Sequence, residues 1–251
     1  MRYLDMNLGR PGRLMLAAGI AGFGVIALTF NHVIDGLFPV PDAGPPWPWI
    51  EGVQLLALGV LLAVPRTAKI AALILALIPG AVNLMVRAPA LAADAGNAVA
   101  WVPAMQVLGI ASAALLIALP DRQRVTIAAR IAVGAMLILF GAVHWMYMEA
   151  IAGMIPEWIP GRQVWPLFTG AANIAAGLAI ASGVLARPAS ALVGAMFVSW
   201  IFLVHSPRLL ASPGDRGEWV ACALAFALAG AVWTVNGALP RSGSDLQPSA
   251  H

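Results

Sequence analysis

The chain alternates between long apolar runs and short polar joints. Eight runs without charged residues span 14–34, 52–65, 70–86, 95–120, 131–148, 163–186, 188–207 and 219–240. A membrane-spanning helix needs about 20 mostly apolar residues, and the runs are continuous rather than alternating, which argues against transmembrane β-strands. The pattern predicts an all-α membrane protein with eight transmembrane helices. The second run extends back to Trp47, and as an alternative the second and third runs form one re-entrant hairpin.

Composition leads to the same protein class. Hydrophobic residues make up 61% of the chain and charged residues 10%, whereas soluble domains carry about 25% charged residues. The net charge of +3 comes without a basic run, so no nucleic-acid partner is predicted. A single cysteine, Cys222, excludes an internal disulfide and a CxxC site. We interpret the first apolar run as an uncleaved span rather than a signal peptide.

The basic residues predict the orientation in the membrane. With eight spans both termini lie on one side, and the loops of that side hold 10 of the 14 Lys and Arg residues. Cytoplasmic loops are enriched in Lys and Arg. Both termini are therefore predicted to be cytoplasmic, in a bacterial cytoplasmic membrane. Residues 1–13 then form a cytoplasmic segment and residues 241–251 a disordered cytoplasmic tail.

Two segments in the two halves of the chain resemble each other. GFGVIALTFNH at 22–32 aligns without a gap with GAMLILFGAVH at 134–144, which pairs His32 with His144. Further pairs follow in the same order: Gly52 with Gly170, Gly59 with Gly177, and Arg87 with Arg208. Recurrence in a fixed order is typical of an internal repeat.

The repeat predicts a domain organisation. We interpret residues 14–120 and 121–240 as two tandem four-helix bundles. Four spans per unit give both units the same orientation in the membrane, unlike inverted transporter repeats.

Polar and aromatic side chains gather at the predicted outer helix ends. Ligand sites combine apolar and aromatic walls with a few convergent polar groups, and imidazoles change charge near neutral pH. We therefore predict an outer ligand-binding pocket, with these candidates: His32, Glu51, His144, Tyr147, Glu149, Trp158, Trp165, Asn173, His205 and Arg208. Two alternatives to ligand binding stay open. In the first, the candidates at the helix ends are interfacial residues that contact water and lipid headgroups. In the second, Asn173 forms hydrogen bonds between helices. No H-x-x-x-H, H-x-x-E or E-x-x-H spacing indicates a metal site.

The loop MIPEWIP at 154–160 contains two Ile-Pro steps. Proline cannot continue a helix and biases the preceding residue to extended geometry. The sequence therefore predicts a stiff aromatic lid with a polar underside, over His144 and near Glu149 or Tyr147. The first unit is expected to contribute His32 or Glu51 to the mouth of the same outer pocket.

The second unit resembles the DoxX and DoxX-like family of four-helix membrane proteins. The resemblance rests on His144-Trp145, on MIPEWIP, and on TGAANIAAGLAIASG at 169–183, which is similar to the family's T-G-x-x-E-x-x-x-G helix. Where the family often has a carboxylate, this chain has Asn173. The resemblance implies a compact helical bundle and, in some members, association with quinone-linked sulfur oxidation or redox-stress proteins.

Two classes of function follow from these observations. The first is an accessory protein that binds a quinone or another lipid beside a membrane or periplasmic redox or envelope-stress partner, without catalysing a reaction by itself. The alternative is a small-molecule transporter or a lipid-modifying enzyme that uses the outer His/Glu cluster. Transporters place charged or unwound segments at helix centres, whereas the centres here hold only amides. The first class is therefore favoured. No cofactor is evident beyond a quinone or lipid.

Overall fold

The computed structural model describes residues 7–34 and 44–240, and all regular elements in these ranges are helical. Nine helices follow one another there: α1 Gly9–Phe30, α2 Trp47–Ala63, α3 Ala68–Ala93, α4 Ala98–Ala118, α5 Gln123–Met146, α6 Met148–Met154, α7 Trp165–Ser182, α8 Ala186–Ala211 and α9 Arg216–Ala238. The predicted tail 241–251 and the first six residues lie outside the described residues.

Seven of these helices are long and apolar enough to cross a membrane, and α2 is a shorter apolar helix of 17 residues. At 1.5 Å per residue, α2 is about 25 Å long, against about 30 Å for the hydrocarbon core of a bilayer. A helix covers most of each of the eight apolar runs, so the prediction of an all-helical membrane protein is confirmed. The remaining helix, α6, has 7 residues and follows α5 directly.

Helices α3 and α8 extend beyond the ends that the apolar runs predicted. Each has 26 residues and contains a five-residue π-helical segment, Asn83–Arg87 in α3 and Ile201–His205 in α8. Arg87 and Arg208 therefore lie within helices and not in loops. A single charge near the end of a span does not terminate the helix, because a long side chain can carry its charged head toward the interface while the backbone stays hydrogen-bonded.

The packing of the bundle connects the beginning and the end of the chain. Helix α1 packs against α2 and α9, α5 packs against α4 and α7, and α4 and α9 contact each other. Helices α3 and α8 lie at the periphery, where they pack mainly against α4 and α9 respectively. Only 28% of the apolar window of each is buried, as expected for helices that present a broad face to lipid.

Glycines allow close approach at the α1–α2 and α5–α7 interfaces. A Cβ atom added at Gly24 would lie 2.6 Å from the carbonyl oxygen of Gly52, and one added at Gly141 would lie 2.5 Å from that of Gly170. In a membrane, where helix association depends on van der Waals contact, small residues let the backbones meet. These four glycines therefore serve helix packing at the two interfaces.

The two interfaces favour a different register for the sequence alignment of the halves. Gly24 faces Gly52 as Gly141 faces Gly170, and this register places Ala27, not His32, at the position of His144. The two π-helical segments likewise pair Arg87 with His205 rather than with Arg208. These contacts favour a register five residues from that of the sequence alignment in the first helix, because runs of small apolar residues match in several registers and only the contacts between helices distinguish them.

Buried polar groups join the helices where α1 begins and α9 ends. Arg13 donates to the Leu62 and Ala63 carbonyls at 2.9 and 3.1 Å, which fastens α1 to the end of α2. Asn236 donates to the Arg187 carbonyl at 2.8 Å and to the Ser190 hydroxyl at 3.0 Å. These bonds satisfy polar groups that would be costly to leave unpaired in an apolar interior.

Candidate functional site

The second half of the chain contains a partly open cavity of about 450 Å³. It lies among α5, α6, α7, α8 and α9, and most of its surface is apolar. Its lining residues are Phe140, His144, Ile151, Met154, Ile155, Trp165, Thr169, Phe197, Trp200, Val204, His205, Arg208, Gly217, Glu218, Ala221, Leu224, Ala225 and Leu228. A cavity of this size and character is typical of small-molecule sites, which range over about 300–1,000 Å³.

Helix α5 contributes Phe140 and His144, one turn apart on the same face. The Nδ1 atom of His144 lies 2.6 Å from the Phe140 carbonyl oxygen. Because a carbonyl can only accept a hydrogen bond, this contact assigns the proton to Nδ1. In the uncharged ring, Nε2 then carries the free lone pair. The backbone of α5 thus fixes both the orientation of the imidazole and its tautomer.

Helix α7 contributes Trp165 and Thr169, again one turn apart. The Thr169 side chain is buried, and its hydroxyl donates to the Trp165 carbonyl at 2.8 Å. The indole N–H of Trp165 donates to the Pro160 carbonyl at 3.0 Å, so the loop between α6 and α7 fixes the ring. Trp165 also meets Trp200 of α8 edge to face, with ring centroids 5.8 Å apart. The two indoles form a rigid aromatic wall.

Helix α8 contributes His205 and Arg208, which are three residues apart on one face. The Nε atom of Arg208 lies 2.8 Å from both carboxylate oxygens of Glu218, the first-turn carboxylate of α9, and an Nη2–H also donates to that carboxylate. Nη1 donates to the Met154 carbonyl at 2.7 Å. Arg208 thereby ties α8 to α9 and to the end of α6. The position of Glu218 near a helix N-terminus favours its negative charge further.

The loop 154–160 closes one side of the cavity with apolar side chains. Ile155 and Ile159 are buried against Val204 and the two indoles. Glu157 is 94% exposed and lies 3.8 Å from Arg162, whereas Trp158 is 60% exposed. The predicted polar underside is therefore wrong. The isoleucines point inward, whereas Glu157 and Trp158 are the central residues of a turn that is closed by the hydrogen bond from the Ile159 N–H to the Pro156 carbonyl at 3.1 Å, so their side chains face outward.

Four of the ten candidate residues line the cavity: His144, Trp165, His205 and Arg208. Of the other six, Tyr147, Glu149 and Trp158 are exposed, Asn173 is buried in α7 without lining the cavity, and His32 and Glu51 lie in the first half. The sequence analysis missed Thr169, Trp200 and Glu218 as lining residues. A carboxylate ten positions after Arg208, with a loop between them, was a usable signal for the last of these.

The expectation that His32 or Glu51 contributes to the same pocket as His144 is wrong. Among the described residues, those that line the cavity all belong to the second half. Glu51 is completely buried at the start of α2, where its carboxylate accepts a hydrogen bond from the Ile34 N–H at 2.7 Å. A second, smaller cavity of about 70 Å³ lies nearby, lined by Phe23, Ile34, Gln106, Val107, Ile110, Val220 and Leu224. The two cavities share Leu224 as a wall.

The described ranges contain no group of three or more His, Cys, Asp or Glu side chains placed to hold a metal ion. The polar groups of the larger cavity are instead suited to hydrogen bonding. His144 offers an acceptor, while Nδ1 of His205 is buried and has no partner within the described part of the chain.

Comparison with known families confirms the resemblance inferred from the sequence. Residues 125–206 match the family model DoxX. The match covers about a third of the chain: nearly all of α5, the whole of α6 and α7, and α8 as far as Ser206. It includes His144, Trp165, Thr169 and His205 of the cavity. No curated protein and no solved structure matches the chain.

Proposed function

We propose that this membrane protein binds a small amphipathic molecule, a quinone or another lipid, in the cavity among α5 to α9. It does so as an accessory to a membrane redox or envelope-stress system. The observation that carries the proposal is the cavity of about 450 Å³ with apolar walls, on which His144, Thr169, His205 and the Arg208–Glu218 pair converge. Apolar walls suit a hydrocarbon chain or ring, and the few polar groups orient one polar head.

An accessory role suits this cavity better than catalysis by the chain itself. A general acid or base must be within reach of a reacting group and free to exchange a proton. Glu218 is the only carboxylate among the lining residues described above, and it is held by two N–H groups of Arg208, on Nε and Nη2, and by a helix N-terminus. The alternative of a lipid-modifying enzyme therefore lacks an available carboxylate in the cavity.

The same proposal includes two tandem four-helix units, residues 14–120 and 121–240, in one orientation with both termini cytoplasmic in a bacterial inner membrane. Several features support the duplication because they recur at an interval of 118 residues. Helix Ala68–Ala93 corresponds to Ala186–Ala211, and the π-helical segments correspond within them. Trp101 and Trp219 each donate their indole N–H to the carbonyl six residues earlier.

Identification of a co-purified molecule tests the proposal. The full chain would be extracted directly into lipid nanodiscs, and the bound molecules would be identified by mass spectrometry and absorbance. Ala221→Trp places an indole in the cavity, whereas Ala171→Trp adds the same ring on the exposed face of α7. We expect an enriched quinone or lipid in the wild type and in Ala171→Trp, and its loss in Ala221→Trp. An identical complement of molecules in all three proteins would refute binding in this cavity.

A further inference from the structure

The α5 and α7 walls of the cavity present hydrogen-bond acceptors. The proton on Nδ1 of His144 is committed to the Phe140 carbonyl, which leaves Nε2 of the uncharged ring as an acceptor. Thr169 has the same character, because its hydroxyl proton is committed to the Trp165 carbonyl at 2.8 Å and its oxygen retains lone pairs. Two side chains on adjacent helices therefore offer lone pairs to whatever fills the space.

Two strong donors of the cavity are already engaged. Arg208 directs N–H groups to Glu218 and to the Met154 carbonyl, and Trp165 directs its indole N–H to Pro160. A ligand oxygen that carries no hydrogen, as in an ether or a ketone, cannot satisfy the lone pairs on α5 and α7. A buried polar group without a partner is costly, so such a ligand is disfavoured.

We propose that the ligand's polar head carries a hydroxyl group that donates a hydrogen bond to His144 Nε2, with Thr169 as the second acceptor. The proposal rests on ligand binding in this cavity and names its chemical class: a hydroxylated amphiphile, either a phenol-type ring or a lipid alcohol. Among quinones it therefore selects the reduced form, whose ring oxygens carry hydrogen, over the oxidised form. A hydroxyl also accepts, so it is compatible with the α8 wall, where the buried Nδ1 of His205 has no partner among the described residues. The apolar remainder of the ligand lies among Phe140, Phe197 and Leu228.

Matched pairs of probes isolate the single donated hydrogen bond. The probes are a long-chain alkylphenol and its methyl ether, which differ in the hydroxyl hydrogen, and a long-chain alcohol and its methyl ether. Binding to the full chain in nanodiscs is measured by calorimetry, with empty nanodiscs as the correction for partitioning into lipid. We expect at least one hydroxyl compound to bind about tenfold more tightly than its ether. The pair with the larger ratio identifies the head as a ring hydroxyl or a lipid alcohol.

Two variants and one control locate the acceptor. His144→Phe keeps a planar ring but removes Nε2, and Thr169→Val keeps the shape but removes the hydroxyl. We expect His144→Phe to bind both members of the preferred pair with affinities equal to within about twofold, and Thr169→Val to reduce the ratio by a smaller factor. His32→Phe changes a histidine outside the cavity and should keep the wild-type ratio. If His144→Phe does not fold, Thr169→Val still reports on the same acceptor wall.

The possible outcomes separate this inference from the proposed function. Equal binding of hydroxyl compound and ether by the wild type overturns the hydroxyl preference and leaves ligand binding in the cavity intact. A preference that persists unchanged in both His144→Phe and Thr169→Val also overturns it. Binding of no probe, together with an unchanged molecular complement in Ala221→Trp, rejects the proposed function as well.

Discussion

Arg208 and Glu218 join α8 to α9 at the side of the cavity where α6 ends. Nε of the arginine lies 2.8 Å from each carboxylate oxygen, and the side chains are 34% and 13% exposed. A paired guanidinium and carboxylate of this geometry form charge-assisted hydrogen bonds that are stronger than neutral ones. Because Arg208 also binds the Met154 carbonyl, the pair holds three of the five helices that line the cavity.

Removing this ion pair should lower the stability of the protein measurably. Glu218→Gln leaves Arg208 with a neutral partner, and we expect it to lower the free energy of unfolding by about 1–2 kcal/mol, after allowance for the partial exposure of Arg208. The measurement is thermal unfolding in nanodiscs. The matched control is Glu157→Gln, since Glu157 is 94% exposed and 3.8 Å from its arginine. That change should have an effect near zero, and a similar loss in both variants would contradict the structural role of Arg208–Glu218.

The α5–α7 interface should not tolerate a side chain at Gly134. A Cβ atom there would lie 2.6 Å from the Gly177 carbonyl oxygen and 2.7 Å from the Ala181 Cβ. Gly134→Ala is therefore expected to separate the helices at a cost of about 1–3 kcal/mol. Gly153 of α6 has no atom within 4 Å of a built Cβ, so Gly153→Ala is expected to be neutral or slightly stabilising. Comparable melting temperatures for the two variants would show that the close approach at Gly134 is absent.

Asn236 should be among the most sensitive polar positions of the bundle. Its carboxamide donates to the Arg187 carbonyl and the Ser190 hydroxyl, and it accepts from the Leu8 N–H at 3.3 Å. Asn236→Leu keeps the approximate volume but leaves these buried groups without partners, at an expected cost of about 2–4 kcal/mol. Gln123→Leu, at the exposed start of α5, is the control. Wild-type stability of Asn236→Leu in a thermal unfolding assay would rule out this role.

The sequence was sufficient to predict the helices but not how they pack against one another. Apolar length identifies a span without reference to anything else, which is why a helix covers most of each of the eight runs. The same criterion ended α3 at Val86, because it treated Arg87 as a boundary, although a snorkelling side chain leaves the helix intact. The contacts between helices favour a register other than the one that pairs His32 with His144, since alignment of small residues carries little register information.

The candidate site was predictable where local spacing decides side-chain direction. His205 and Arg208, three apart on a helix, do share a face and both line the cavity. Glu149 and Trp158 could not be placed in this way, because they lie in α6 and in the proline-containing loop, where the path of the backbone determines which side chains point inward. Glu218 had only its spacing of ten positions from Arg208 as a signal, and the packing of α9 against α8 was needed to show that the two side chains meet.

The orientation in the membrane can be tested at two exposed positions. Gln123 begins α5 and Glu157 lies in the loop after α6, so a span of α5 separates them. The excess of Lys and Arg predicts that Gln123 is cytoplasmic and Glu157 external. In a Cys222→Ser background, Glu157→Cys should react with a membrane-impermeant thiol reagent in intact cells, whereas Gln123→Cys should react only after the cells are opened. The reverse pattern would place the cavity end of the bundle in the cytoplasm. A ligand would then have to reach the cavity from the inner leaflet, because His144 and Arg208 lie at the same end of the bundle as Glu157.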